Sequence, residues 1–232
     1  MAKRNAWSQR FMELQLQARD ERLQRYYGEG MMAADTPISA APLVALDFET
    51  TGLDPDHDDI VSIGLVPFSS QRIYCRESAH WLIKPTMPLA EESVVIHGIT
   101  HSDVTGAPSL NLILDELLQA LAGKLVVVHC QDIERPFLAK ALQKRLKERL
   151  DFPVIDTMAL ERRALLARQG MLGRLLKKPI GSLRLADCRQ RYCLPFYHAH
   201  HALTDALATA ELLQAQLAYH HRPEVTVGEL WS

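Results

Sequence analysis

Asp47 and Glu49 stand two residues apart at the end of an apolar run, in the string Leu43-Val44-Ala45-Leu46-Asp47-Phe48-Glu49-Thr50-Thr51-Gly52. In a β-strand residues i and i+2 share a face. The two carboxylates therefore sit side by side, and Phe48 points the other way. Like charges that close repel, and burial makes the conflict worse. A bridging divalent cation removes it, and hard cations such as Mg²⁺ take oxygen ligands. The Thr50-Thr51-Gly52 that follows ends the strand and lets the backbone approach a ligand closely. The competing reading is an acidic strand end that faces water.

A second group is His200-His201-Ala202-Leu203-Thr204-Asp205. Asp205 falls in the first turn of a predicted helix, where the dipole favours a carboxylate. If it points at the same cations as Asp47 and Glu49, His200 at the turn before the helix reaches a water beside them. Histidine suits that proton transfer because its unperturbed pKa lies near neutrality. His198 and His201 are close neighbours, and the spacing to Asp205 favours His200. The alternative is an acidic helix terminus beside surface histidines. A third group, His129-Cys130-Gln131-Asp132-Ile133-Glu134-Arg135-Pro136, follows an apolar run and opens a helix. Asp132 or Glu134 can face a cleft at the strand's end, where open α/β sheets bind ligands. Either can equally be a helix N-terminal acid placed for the dipole.

These groups need elements to position them. Strands are expected at 43–48, 60–66, 80–83, 125–128 and 153–156. The run 125–128 is continuously apolar, as in a strand buried on both faces. Helices are expected at 110–121, 133–146, 157–168, 182–191 with Ser182 as cap, and 202–220. Gly170 to Pro179 reads as a basic loop. Three strands followed by alternating helix and strand predict an α/β fold with a mixed five-stranded sheet flanked by helices. Residues 1–30 look helical, with Trp7, Phe11, Leu14 and Ala18 at helical spacing, and 36–42 is a small-residue linker. The segment 1–36 is an extension docked on the body or on a partner; a mobile arm is the alternative.

The string Asp47-Phe48-Glu49-Thr50-Thr51-Gly52 resembles the first motif of the DEDD superfamily of 3′–5′ exonucleases. The His200–Asp205 spacing resembles the third motif of its histidine-containing subgroup, which includes epsilon proofreading subunits of bacterial replicative polymerases. His97-Gly98-Ile99-Thr100 with Pro108, and Asp156-Thr157, resemble further signatures of epsilon-like members. The second motif usually reads His-Asn-Ala-x-Phe-Asp. Here Glu134 stands where aspartate is usual and Cys130 where asparagine is, with Asp132 the other candidate ligand. The resemblance spans roughly 42–218.

What the resemblance implies is an RNase H-like fold and two-metal phosphodiester hydrolysis, with two Mg²⁺ or Mn²⁺ ions about 4 Å apart. Asp47, Glu49, Glu134 and Asp205 would be the ligands and His200 the general base. Thr50, Thr51, Gly52, Leu53, His97 and Thr100 would hold the terminal nucleotide, with Leu53 wedged against its base. The expected activity is release of nucleoside 5′-monophosphates from the 3′ end of single-stranded DNA. RNA or short oligonucleotides are the alternative substrates, and a nucleic-acid-binding or polymerase-associated module inactivated at Glu134 is the alternative class. The expected organisation is an extension at 1–36, an exonuclease domain at 37–221 and a tail at 222–232. Residues 1–36 would dock a polymerase, another partner or a second copy.

Bulk properties agree with such a protein. Of 26 Lys and Arg, 15 lie in residues 135–191 against five acids, so that segment is +10 and the remainder −12. A basic stretch beside an acidic one suits a protein that grips a phosphate backbone and holds metal with carboxylates. Solvated helix faces are the alternative. Arg162, Arg163, Arg174, Lys177 and Lys178 are candidate phosphate contacts. No run is long enough to span a membrane, and the N-terminus lacks the apolar stretch of a signal peptide. Cys75, Cys130, Cys188 and Cys193 have neither zinc-ligand spacing nor a disulfide framework. They read as free thiols of a cytoplasmic protein.

Overall fold

Five strands form one sheet in the order β3-β2-β1-β4-β5. They are β1 (Leu43–Thr50), β2 (Ile60–Phe68), β3 (Ala79–Leu82), β4 (Leu125–Val128) and β5 (Val154–Asp156). This is a computed structural model, describing residues 6–175, 179–220 and 224–232, without the side chains of 6 and 171–175. β1–β2 and β2–β3 are antiparallel, while β1–β4 and β4–β5 are parallel. The mixed sheet expected from the sequence is therefore present. The parallel half follows from the helical crossover α5 (Leu110–Leu121) between β3 and β4 and from α6 (Gln131–Leu146) between β4 and β5.

Alternation along β1 divides the core. Val44, Leu46 and Phe48 pack with α5 and α6. Leu43 and Ala45 pack on the opposite face against Ala206, Ala210 and Leu213 of α9 (Ala202–His220). Asp47 and Glu49 continue the α9-facing row at the strand's C-terminal end. β4 is buried on both faces, as its unbroken apolar run requires.

Residues 6–28 are two helices, α1 (Ala6–Gln17) and α2 (Glu21–Gly28), rather than one continuous pattern. Asp20 caps the second, its Oδ1 accepting the Arg22 amide at 2.9 Å. The pair is docked on the body. Phe11, Leu23, Tyr26 and Tyr27 belong to the same buried cluster as Val44 and Leu46. The Glu148 carboxylate accepts the amides of Arg19 and Asp20, each at 2.9 Å. The C-terminal residues pack similarly. Val225, Val227 and Leu230 are buried, and Trp231 bridges to Ile155 beside β5.

Some boundaries differ from expectation. The helix expected from Ser182 is α8 (Leu185–Arg191). Ser182 Oγ instead accepts the Arg184 amide at 3.3 Å and donates to Asp187, so it shapes the turn before the helix. The helix expected to end at 168 is α7 (Thr157–Leu175), broken at Gly170 with φ of 66°. The segment 171–175 is thus helical rather than loop. Two short helices went unpredicted, α3 (Glu91–His97) and α4 (His101–Thr105); a final turn, α10 (Val227–Leu230), ends the chain.

Candidate active site

Four carboxylates from three elements converge at the C-terminal ends of the parallel strands. Asp47 and Glu49 come from β1, Glu134 from the first turn of α6 and Asp205 from the first turn of α9. Burial raises the Asp47 carboxyl well above its usual range, and the charges of Glu134, Asp205 and Glu49 add to the shift. Burial and then Asp205 push Glu49 up to about 7. Burial also raises Glu134, with Asp156 and Asp132 adding repulsion. Asp205 is raised by burial and partly relieved by the His200 amide, which donates to its Oδ2 at 2.7 Å.

His200 stands at the rim with φ of +70°, a left-handed turn that leads directly into α9. Ligand atoms of Glu49, His200 and Asp205 all lie within 4.8 Å of one another. Glu134 Oε2 is buried without a hydrogen-bond partner. A buried acceptor in that state is costly, and a cation held by hard oxygen donors would satisfy it. The residues therefore fit a divalent ion. Asp132, the other candidate in this turn, is exposed.

Two residues missed in the sequence position this group. Gly64 pairs with Asp47 across β1–β2. A Cβ built on Gly64 would lie 2.1 Å from both C and O of Ala202. The backbone of α9 thus rests on the glycine, and that approach brings Asp205 over the carboxylate row. A glycine inside a strand pattern marks such close approach, so the signal was present. Arg189 is buried, and no pattern announced it. Its Nη1 donates to Ala208 O at 2.7 Å, and its Nη2 donates to Pro195 O at 2.9 Å and Glu211 at 2.7 Å. Its guanidinium lies 4.5 Å from the Tyr197 ring centroid. It ties the loop that carries His200 to α9.

The expected nucleotide-holding residues divide into two sets. Thr50 donates to Gly52 O at 2.5 Å, and Thr51 donates to Asp58 at 2.9 Å, so both hydroxyls serve their own loop. Leu53 projects from that loop, 81% exposed. Thr100 is the cap of α4, where it forms a capping box with Asp103. His97 Nδ1 accepts the Ile99 amide at 3.0 Å, leaving a buried Nε2 without a partner. Burial lowers the pKa of His97, and the charge of His200 adds to the shift. Asp156-Thr157 is a structural pair. Asp156 caps α7 by accepting the Met158 and Ala159 amides, and Thr157 accepts from or donates to His129 Nδ1 at 2.8 Å. Arg162 and Arg163 are exposed on α7. Lys177, Lys178 and the side chain of Arg174 lie outside the described residues.

The family profile described as Exonuclease matches residues 44–213. The chain belongs to the exonuclease family. A PolC-type DNA polymerase III of Thermotoga petrophila is 34% identical over 181 residues, covering 78% of this chain and 12% of the relative. The chain thus spans about an eighth of that polymerase. The DNA polymerase III epsilon subunit of Treponema pallidum is 29% identical over 176 residues, covering 76% of each chain. The zinc-bound E. coli ExoI–ssDNA complex superposes with a TM-score of 0.67 at 14% identity, covering 79% of this chain and 42% of that one. The fold is the RNase H-like exonuclease fold expected from the resemblance. The family depends on divalent metal. No described helix is long and apolar enough to cross a membrane.

Proposed function

We propose that this chain is a metal-dependent 3′–5′ exonuclease that releases nucleoside 5′-monophosphates from single-stranded DNA ends. One observation carries the reading: Asp47, Glu49, Glu134 and Asp205 converge with raised pKa values beside His200, and Glu134 Oε2 is left unpartnered. The preference for DNA rests on the polymerase relatives and on the ExoI–ssDNA neighbour.

In this reading the four carboxylates hold two Mg²⁺ or Mn²⁺ ions. When bound, such ions supply Lewis-acid polarisation of the phosphodiester oxygens. His200 takes the proton of the attacking water. Glu49 and Asp205, within 4.8 Å of its ring, stabilise the imidazolium that results. Asp205 also fixes the turn through the His200 amide. Leu53 wedges against the terminal base, and the free Nε2 of His97 contacts the terminal nucleotide. Association with a replicative polymerase is supported by the PolC and epsilon relatives. Met12 and Leu16, exposed on α1, are large apolar residues open to such a partner.

The test is mononucleotide release from a 3′-tailed DNA oligonucleotide, with and without Mg²⁺ or Mn²⁺, beside an RNA of equal sequence and the His200→Ala protein. Metal-dependent release from DNA that collapses in His200→Ala supports the assignment. Release from RNA alone would reassign the substrate, and release from neither polymer would leave a binding module.

A further inference from the structure

The N-terminal helices do more than cover the core. Between α1 and α6 lies an open groove of about 590 Å³. Arg10 and Leu14 form one wall; Gln131, Asp132 and Arg135 form the other; and Arg149 stands at the base with Asp151. Gln131 stands three residues before Glu134 and so lies on the same side of α6, which sets that end of the groove next to the Glu134 turn. Residues before 44 lie outside the family match, so the α1 wall stands outside the matched domain.

The charges in this groove are unbalanced. Three guanidiniums face two carboxylates, Asp151 and Asp132. Asp151 is shared: Arg10 Nε approaches it at 3.5 Å and Arg135 Nη2 at 3.7 Å. Charge-assisted pairs with good geometry lie near 2.7–2.9 Å, so neither fork is engaged bidentately. Arg149 is exposed and has no carboxylate partner among the described residues. Arg135 is half-buried, its guanidinium 6.0 Å from the Phe152 ring centroid. Guanidinium forks with unused donors match phosphate oxygens.

We propose that this groove carries the phosphate backbone of the strand being degraded, upstream of its 3′ end, with Arg10, Arg135 and Arg149 as contacts. The proposal rests on the exonuclease reading above. It makes the extension part of the substrate path. An acidic peptide shares the charge, but the place of Gln131 beside the Glu134 turn, at one end of the groove, favours the strand.

The test compares the full-length protein with Arg10→Ala/Arg149→Ala on two substrates. One is a DNA oligonucleotide long enough to fill the groove. The other is the p-nitrophenyl ester of thymidine 5′-monophosphate, which has nothing upstream of its single diester. The double variant is expected to raise KM for the oligonucleotide about tenfold, with unchanged kcat/KM for the ester. Each lost contact to a single strand should flatten the log–log salt dependence by about 0.7. Fluorescence anisotropy of the labelled oligonucleotide in EDTA gives the same comparison without turnover, and Arg149→Glu repeats it at an exposed side chain without an ion pair. Unchanged oligonucleotide KM, salt slope and anisotropy would overturn the proposal, as would competition by polyglutamate stronger than by DNA of equal charge. If the wild type cleaves neither substrate, the exonuclease reading fails, and the anisotropy alone decides the groove.

Discussion

Gly64→Ala should disable the site without touching any group that reacts. The added Cβ would meet Ala202 C and O at 2.1 Å and Leu203 N at 2.3 Å, all of them backbone atoms. No rotamer relieves such a contact. Reaching the edge of ordinary contact at 3.4 Å requires the start of α9 to retreat by about 1.3 Å. Asp205 lies in that turn, and the His200 amide is bonded to its carboxylate. Both would therefore move away from Asp47 and Glu49. A misplacement of about 1 Å can cost on the order of 10²-fold in rate, so kcat should fall by about that factor. Overpacking a core contact costs about 1–3 kcal/mol, so the protein should remain folded with a lowered Tm. The assay is turnover of the p-nitrophenyl ester alongside thermal melting and a Mn²⁺ titration. Gly106→Ala is the control, because its Cβ enters open space at an ordinary φ of −92°. Wild-type turnover in a folded Gly64→Ala protein would refute the argument that this approach sets the site.

Four further outcomes are expected. With Glu49 at about 7 in the folded protein against 4.5 in a free chain, the metal-free protein is more stable while that carboxyl is protonated. That stability is fully present below pH 4.5 and is lost as pH rises through about 7. The loss is on the order of 3 kcal/mol; a melting curve in EDTA with no downward trend over this range would contradict it. Glu134→Gln should raise the metal-free Tm at alkaline pH while cutting turnover by at least about 10²-fold, since even outer partners of a metal site are worth 10–100-fold. Equal turnover would point to Asp132 instead. Arg189→Met should cost about 3–5 kcal/mol, as expected when one partner of a buried pair is removed. It should also lower kcat more than KM, because the loop that carries His200 loses its anchor. Phe11→Ala should cost about 3–5 kcal/mol, lowering Tm by roughly 10 °C at this chain size; a negligible change would show that the extension is not part of the core.

The sheet was legible because its strands are apolar and short, and strand alternation alone placed Asp47 and Glu49 together. Phe48 is buried on the opposite face, as that alternation requires. The spacing of His200 to Asp205 also sufficed, because a helix start is a local signal. The short helices α3 and α4 were not legible. At seven and five residues they carry too few apolar positions for a period to register. Arg189 was invisible for a different reason. Its partners are two backbone carbonyls, a ring and Glu211, up to 22 residues away, and no local pattern encodes them. Thr51 and Thr100 show the converse. Their types suit nucleotide contacts, yet the fold uses their hydroxyls in turns and caps.

The arrangement of the four carboxylates also bears on why three different elements hold them. Left free, such groups would separate, since the charges of Glu134, Asp205 and Glu49 raise the pKa of Asp47, and that of Asp205 raises Glu49. β1 is fixed by hydrogen bonding to β2 and β4 on either side. The first turn of α6 is fixed where the buried strand β4 ends, and α9 is seated on Gly64. Each anchor is made by contacts that do not involve the carboxylates. The repulsion therefore cannot relax by moving one group, and it relaxes by taking up protons or cations. Protons and divalent ions compete for the same oxygens. Cation affinity should consequently rise with pH through the range in which Glu49 ionises, and the same rise should reverse the alkaline loss of stability seen without metal.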